Sequence, residues 1–218
     1  MRIAICGGTF DPFHRGHLEP VLALCEPMGW DRVLYVPAWR QPFKQQRTAA
    51  SPFHRFAMAV LATQDVEIAR VSPVEVERGR ISYSVETLEE LHDVFPKASF
   101  EWIIGDDNLA SLGEWKSIER IFELANFVVL ARDRVSPEAA RASIETAAPA
   151  AEVWEGGGER PRYGAVILAV NQTIPVSATD IRKLVARGEE IDGMVDPRVA
   201  RYIRHNGLYR EDPSERFD

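Results

Sequence analysis

A glycine pair near the start of the chain separates a short apolar run from an amphipathic stretch. The run at 3–6 predicts a buried first strand, and the apolar spacing i, i+3, i+4, i+7 over 18–25 predicts a helix face. Gly7 and Gly8 therefore lie where a strand ends and a helix is about to begin. Open α/β sheets bind their ligands at this place, so the opening segment favours that class of fold.

Two histidines accompany the glycines at the predicted start of the helix. A helix N-terminus has free N–H groups that attract phosphate, and glycines let such groups approach a ligand without a Cβ in the way. His14 and His17, three residues apart, would face the same side of the first helical turn. Three alternatives stay open. The glycines could serve only a tight turn, the histidines could be ordinary core or surface residues, or they could bind a metal, although no third ligand has suitable spacing.

A second helix start with the means to bind phosphate lies near the end of the chain. Ser177 and Asp180 form a capping-box pattern, and Thr179 and Arg182 add a hydroxyl and a cation close to the same start. The alternative is an ordinary capped helix with a solvated arginine. We call residues 7–17 the opening bend and residues 177–182 the closing cap. If the strands before them are neighbours in the sheet, the two would meet and hold a polyphosphate between them.

The rest of the chain alternates strand-like and helix-like segments, which predicts parallel βαβ units. We expect an α/β fold, a Rossmann-like doubly wound parallel sheet with helices on both faces. Short strands are predicted at 66–68 and 74–76. A single domain would span 1–210, with a variable surface excursion at 136–162 and a polar tail at 211–218.

Composition and charge narrow the class of ligand. The chain has 218 residues and a net charge of −7, which argues against non-specific nucleic-acid binding. The stretch 32–64 has no acidic residue and several basic ones, an arrangement that attracts small anions, although a solvated basic loop would look the same. No apolar run approaches the ~20 residues that span a bilayer. We expect a cytoplasmic protein without a signal peptide or membrane contact, in which Cys6 and Cys25 are reduced thiols.

The two helix starts carry recognisable signatures. His14-Arg15-Gly16-His17 resembles the H-x-G-H signature of a nucleotidyltransferase superfamily, and 176–182 resembles its I-S-S-T-x-x-R signature. The run 7–17 is more specifically similar to the G-G-T-F-D-P-x-H-x-G-H run of the bacterial nicotinate mononucleotide adenylyltransferase family. Shorter segments add to that resemblance: Gln41 to Lys44, Ser82 to Leu88, Gly105 to Asp107 with Trp115, Tyr202-Ile203 and Leu208-Tyr209.

The resemblance implies transfer of AMP from ATP to nicotinate mononucleotide, which gives nicotinate adenine dinucleotide and pyrophosphate. It implies that His14, His17 and Arg182 act directly on the phosphates. It also implies that ATP, the co-substrate, contacts Gly7, Gly8, Thr9, Phe10, Gly105, Asp107, Ser177, Thr179 and Ile181. The mononucleotide would contact Lys44, Ser84, Thr87, Trp115 and Arg132. Mg²⁺ would be bound mainly through the ATP phosphates, as this hard ion usually is, and no protein metal site is expected.

The sequence departs from the family pattern at three positions. Phe43 replaces a frequent histidine, Ser84 replaces a threonine, and Ala178 replaces the second serine of the closing signature. Pantetheine-phosphate adenylyltransferase is an alternative, although it should lack the 82–88 segment and Trp115. A cytidylyltransferase or a nucleotide-binding sensor without catalysis are further alternatives. Preference for the acid or the amide mononucleotide and the existence of a homo-oligomer are left open.

Overall fold

The computed structural model describes residues 1–40, 50–131, 137–147, 149, 151–154, 159–170 and 174–210. The expectations for Phe43, Lys44, Arg132 and the tail at 211–218 lie outside the described residues. None of the helices in the described part of the chain combines the length and the hydropathy needed to cross a bilayer.

Strands and helices alternate along the chain. The strands are β1 Arg2–Gly8, β2 Arg32–Pro37, β3 Ala69–Val71, β4 Ser99–Gly105, β5 Ala125–Ala131, β6 Glu152–Trp154 and β7 Ala165–Val170. The α-helices are α1 Arg15–Met28, α2 Pro52–Thr63, α3 Val74–Arg78, α4 Ser84–Val94, α5 Ile118–Leu124, α6 Pro137–Ala147, α7 Ala178–Ala186 and α8 Pro197–His205. A 3-10 helix spans Asp106–Glu114 between β4 and α5.

Among the described residues, the strands form one sheet in the order β3-β2-β1-β4-β5-β7-β6, and every pairing is parallel. The predicted doubly wound α/β fold is confirmed. The chain leaves β1 towards β2 and later returns to β4 on the other side of β1, in register with Cys6 opposite Ile103. This reversal opens a crevice at the carboxyl ends of β1 and β4.

The strands before the opening bend and the closing cap are not neighbours, because β4 and β5 lie between β1 and β7. That part of the prediction is wrong.

Two cores lie on opposite faces of the sheet. Apolar residues of α1, α2, α7 and α8 form one core, and those of α3, α4, α5, α6 and the 3-10 helix form the other. Phe10, Phe13 and Ile181 belong to the first core, so the opening bend and helix α7 pack against the same face of the sheet.

Local signals predicted helix starts well and short strands poorly. Ser51 accepts from the amide of His54 at 3.3 Å, and Asp196 accepts from that of Arg198 at 2.8 Å, so a polar residue followed by proline begins both α2 and α8. The predicted strand at 66–68 is wrong, since β3 begins at Ala69. The predicted strand at 74–76 is helix α3, in which all three residues are buried. Pro73 begins that helix with a helical φ of −81°, and Gly79 ends it at φ +67°.

The stretch 136–162 contributes more regular structure than the sequence predicts. Helix α6 lies within it, and β6 extends the sheet beside β7. The guanidinium of Arg160 donates to the buried carboxylate of Glu101 at 2.9 Å and to the carbonyl of Met28 at 2.9 Å. This segment is therefore attached to the amino-terminal edge of the sheet, away from the crevice.

Candidate active site

The opening bend is folded tightly around its own aromatic ring. A Cβ on Gly8 would lie 2.8 Å from Cε1 of Phe10, and a Cβ on Gly7 would lie 3.0 Å from Cζ2 of Trp102. Phe10 has φ +53°, a left-handed conformation that non-glycine residues rarely adopt. Its ring packs edge-on against His17 at 5.0 Å. Neighbouring rings occupy the space that a Cβ would need at Gly8 and leave little room for one at Gly7, so glycine lets the bend pack closely against them.

The two histidines lie together at the start of α1. Their rings stack with centroids 3.7 Å apart, which confirms that they share one side of the first turn. His14 occupies the N-cap position and is largely buried. Its amide donates to Nδ1 of His17 at 3.3 Å. Because Nδ1 acts as the acceptor, the proton of a neutral His17 ring is on Nε2, where it can be donated to an anion.

The closing cap meets the opening bend. Nη1 of Arg182 donates to the main-chain carbonyl of Asp11 at 2.6 Å, and Nη2 donates to Oγ1 of Thr179 at 3.2 Å. On the other side of the contact, a Cβ on Gly16 would lie 3.4 Å from the carbonyl oxygen of Val176. The predicted meeting of the two segments is thus present, although it spans two intervening strands.

Helix α7 brings hydroxyl donors to this junction but not every predicted residue. Ser177 caps the helix by accepting from the amide of Asp180 at 3.2 Å, and it keeps its own hydroxyl proton to donate. Ile181 is fully buried, and its amide donates to the carbonyl of Ser177 at 3.1 Å. Its side chain and its N–H are therefore both used within the fold, and Ile181 anchors α7 in the core.

A buried arginine holds the main chain of the opening bend. The sequence indicated it only as one cation of the basic stretch 32–64. Arg55 is fully buried, and its guanidinium donates to the carbonyls of Thr9 at 2.6 Å, Trp39 at 3.0 Å and Ala50 at 3.3 Å. Burial lowers the pKa of Arg55, and the nearby Asp11 carboxylate opposes that shift. The apolar spacing of α2 gives no signal that a cation in this helix is buried, because two of the three carbonyl partners lie 16 and 46 residues earlier in the sequence.

The end of β4 forms the other side of the crevice. Gly105 is the last residue of the strand, and Asp107 follows it and is exposed. A Cβ on Gly105 would collide with the carboxylate of Asp107, so glycine is required for that carboxylate to fold back over the strand end. Nδ2 of Asn108 donates to the same carboxylate at 3.1 Å. β1 and β4 pair directly, so Asp107 and the opening bend lie at the same edge of the sheet.

Residues expected at the pyridine end divide into an accessible and a buried set. Ser84 is the first residue of α4, whose N-terminus is at the carboxyl edge of the sheet. Trp115 is half-buried and packs edge-on against Phe127 at 5.7 Å. Beside it, Nζ of Lys116 lies 4.2 Å from the ring centroid of Tyr83, which links the segment after the 3-10 helix to the start of α4.

Thr87 belongs to the buried set. It is fully buried, and its hydroxyl donates to Glu75 at 2.8 Å and accepts from Arg78 at 3.4 Å. Burial raises the pKa of Glu75, and the hydrogen bond from Thr87 opposes the shift. The structure thus places Thr87 at the contact between α3 and α4.

The fold and this junction are those of a nucleotidyltransferase. Residues 5–184 match the cytidylyltransferase-like family, and the chain belongs to that family. Within it, the chain groups with curated relatives named "probable nicotinate-nucleotide adenylyltransferase". The relative from Roseiflexus sp. (strain RS-1) is 39% identical, over 95% of this chain and 98% of its own. The relative from Gemmatimonas aurantiaca is 34% identical, over 98% and 94%.

Solved structures agree on the fold. The nicotinic acid mononucleotide adenylyltransferase of Plasmodium falciparum, determined in complex with NaAD, superposes with a TM-score of 0.69, over 95% of this chain and 97% of its own. Sequence identity to it is 18%, so this likeness concerns the fold alone.

Proposed function

We propose that this chain is a nicotinate-nucleotide adenylyltransferase, which transfers AMP from ATP to nicotinate mononucleotide. The observation that carries the proposal is the contact of Arg182 with Asp11 at 2.6 Å, because it joins two phosphate-binding helix starts into one site. The relatives at 34% and 39% identity support the choice of acceptor.

The reaction needs alignment more than it needs a base. An oxygen of the mononucleotide phosphate attacks the α-phosphorus of ATP, the bond from that phosphorus to the bridging oxygen breaks, and pyrophosphate leaves. A phosphate monoester with a second pKa near ~6 is largely dianionic at neutral pH, so it needs no deprotonation. The chain has to hold both phosphates in line and to offset charge on the leaving group.

The residues of the junction suit this task. Nε2 of His17 and the ring of His14 would donate to ATP phosphates, and Arg182 would donate on the pyrophosphate side. Further donors would come from the main chain of Gly7, Gly8, Thr9 and Phe10 and the hydroxyls of Ser177 and Thr179. Gly105 would let Asp107 accept from a ribose hydroxyl.

The mononucleotide would lie towards the start of α4. We propose that Trp115 stacks on the pyridine ring and that Ser84, with amides of the first turn of α4, faces its carboxylate. Lys44 and Arg132 remain proposed partners of its phosphate. Thr87 would act on this end only by holding α4 against α3.

Mg²⁺ would enter with ATP. The donors at the junction are cationic or neutral N–H and O–H groups, which suit phosphate oxygens rather than a bare cation. This donor set fits an ion held mainly by the phosphates, which would offset their charge as pyrophosphate leaves. The cytoplasmic location stays a prediction from the sequence.

One assay tests the assignment. ATP-dependent pyrophosphate release is measured in parallel with nicotinate mononucleotide, its amide and phosphopantetheine. We expect release with a pyridine mononucleotide and none with phosphopantetheine. Silence with both pyridine substrates would reject the assignment, and release with phosphopantetheine would favour the sibling activity.

A further inference from the structure

The end of the described chain turns back onto the opening bend. After α8, Gly207 and Tyr209 both adopt left-handed conformations, at φ +62° and +63°. Such a conformation is costly for a tyrosine and persists where surrounding contacts hold it. The contact that holds it is a hydrogen bond from the Tyr209 hydroxyl to Oδ1 of Asp11 at 2.7 Å, across 198 residues of sequence.

Asp11 connects this hydroxyl to the site. Its carboxylate is buried and also accepts from the amide of Ala50 at 3.2 Å, while its main-chain carbonyl accepts from Arg182. One residue thus receives Tyr209 on its side chain and Arg182 on its backbone. The buried Arg55, which holds the carbonyl of Thr9 two residues earlier, fixes the same turn from the other direction.

We propose that Tyr209 is a positioning residue: by holding the Asp11 carboxylate, it sets where the Asp11 carbonyl presents Arg182 to the ATP phosphates. A charge-assisted hydrogen bond to a buried carboxylate is stronger than a neutral one, so the side chain of Asp11 is held firmly while Tyr209 is in place. Without the Tyr209 hydroxyl, the opening bend can shift together with the Asp11 carbonyl. The guanidinium of Arg182, which donates to that carbonyl, then loses its fixed direction. This inference rests on the proposed ATP site and does not depend on which acceptor is used.

Tyr209→Phe removes only the hydroxyl, and Tyr202→Phe is its matched control. Tyr202 also lies at the end of the chain, and its hydroxyl bonds Nδ1 of His54 at 2.9 Å, away from Asp11. Binding of ATP with magnesium, without any acceptor, is measured by calorimetry on the full chain. We expect Tyr209→Phe to weaken ATP binding about tenfold, the value of one lost hydrogen bond to a charged group, and Tyr202→Phe to change it less than about twofold.

The double variant separates positioning from general loosening. In an Asp11→Ala background the acceptor is gone but the main-chain carbonyl remains, so Tyr209→Phe should weaken ATP binding no further. The proposal is overturned if the two tyrosine variants weaken ATP binding equally, or if the loss from Tyr209→Phe persists in Asp11→Ala. It is also overturned if Tyr209→Phe lowers the melting temperature but leaves ATP affinity unchanged. Failure of the proposed function would appear differently, as tight ATP binding by the parent chain without transfer to a pyridine mononucleotide.

Discussion

The two nitrogens of His17 have different roles, and two substitutions separate them. Nδ1 accepts from the amide of His14 at 3.3 Å, and Nε2 is the proposed phosphate donor. In His17→Asn, the amide oxygen can take the place of Nδ1, but nothing reaches the place of Nε2. In His17→Gln, the amide nitrogen can reach the place of Nε2, but the helix start loses its acceptor.

The expected sizes differ enough to decide the question. Removing one donor to a developing anion costs roughly 10²–10³ in kcat. A neutral hydrogen bond at the long end of the range contributes about 0.5–1 kcal/mol to stability. His17→Asn should therefore lose about a hundredfold in kcat or more and melt close to the parent. His17→Gln should keep more of its kcat and melt slightly lower.

The assay is pyrophosphate release at saturating ATP and nicotinate mononucleotide, with melting followed by circular dichroism. The proposed roles of the two nitrogens are refuted if His17→Asn keeps parental kcat, or if His17→Gln loses as much kcat as His17→Asn. In the first case Nε2 donates nothing that matters, and in the second the acceptor role is the important one.

The buried carboxyl group of Glu75 and the glycine at the end of β4, Gly105, can each be tested by one substitution. Burial raises the pKa of Glu75, so the folded chain binds that proton more tightly than the unfolded chain, and stability falls as pH rises from the ordinary glutamate pKa through the raised one. Glu75→Gln should flatten this fall, as measured by melting across acidic to neutral pH; an unchanged slope contradicts it. Gly105→Ala should displace the Asp107 carboxylate and raise the KM for ATP at least about fivefold. Melting should change little, because the atom that has to move is the end of an exposed side chain. An unchanged KM would remove Asp107 from the site.

Features that depend on neighbouring residues were predictable from the sequence. The cap at Ser177, the glycine turn before α1 and the pairing of His14 with His17 all follow from short-range spacing. The parallel order of the sheet also followed, because alternating strands and helices leave few other connections.

Features that depend on partners distant in the sequence could not be predicted. Val74 and Val76 flank a glutamate in a pattern typical of a strand. All three residues are nevertheless buried in a short helix, because neighbouring elements cover α3 on both sides. Arg55 looks like a solvated cation until its three carbonyl partners are found, one after β1 and two in the connection from β2 to α2. Tyr209 matched a family pattern, but its partner is at the other end of the chain.

The opening bend and the closing cap touch each other, yet the strands that precede them, β1 and β7, are well separated in the sheet. Three strand spacings place these strands about 14 Å apart, while packed helices lie about 8–10 Å apart. Helices α1 and α7 pack on the same face of the sheet, and Arg182 of α7 reaches the carbonyl of Asp11 just before α1, so the contact forms over that face. The end of β4 lies next to β1 on the side towards β7, which places Asp107 between the strands that carry the two segments.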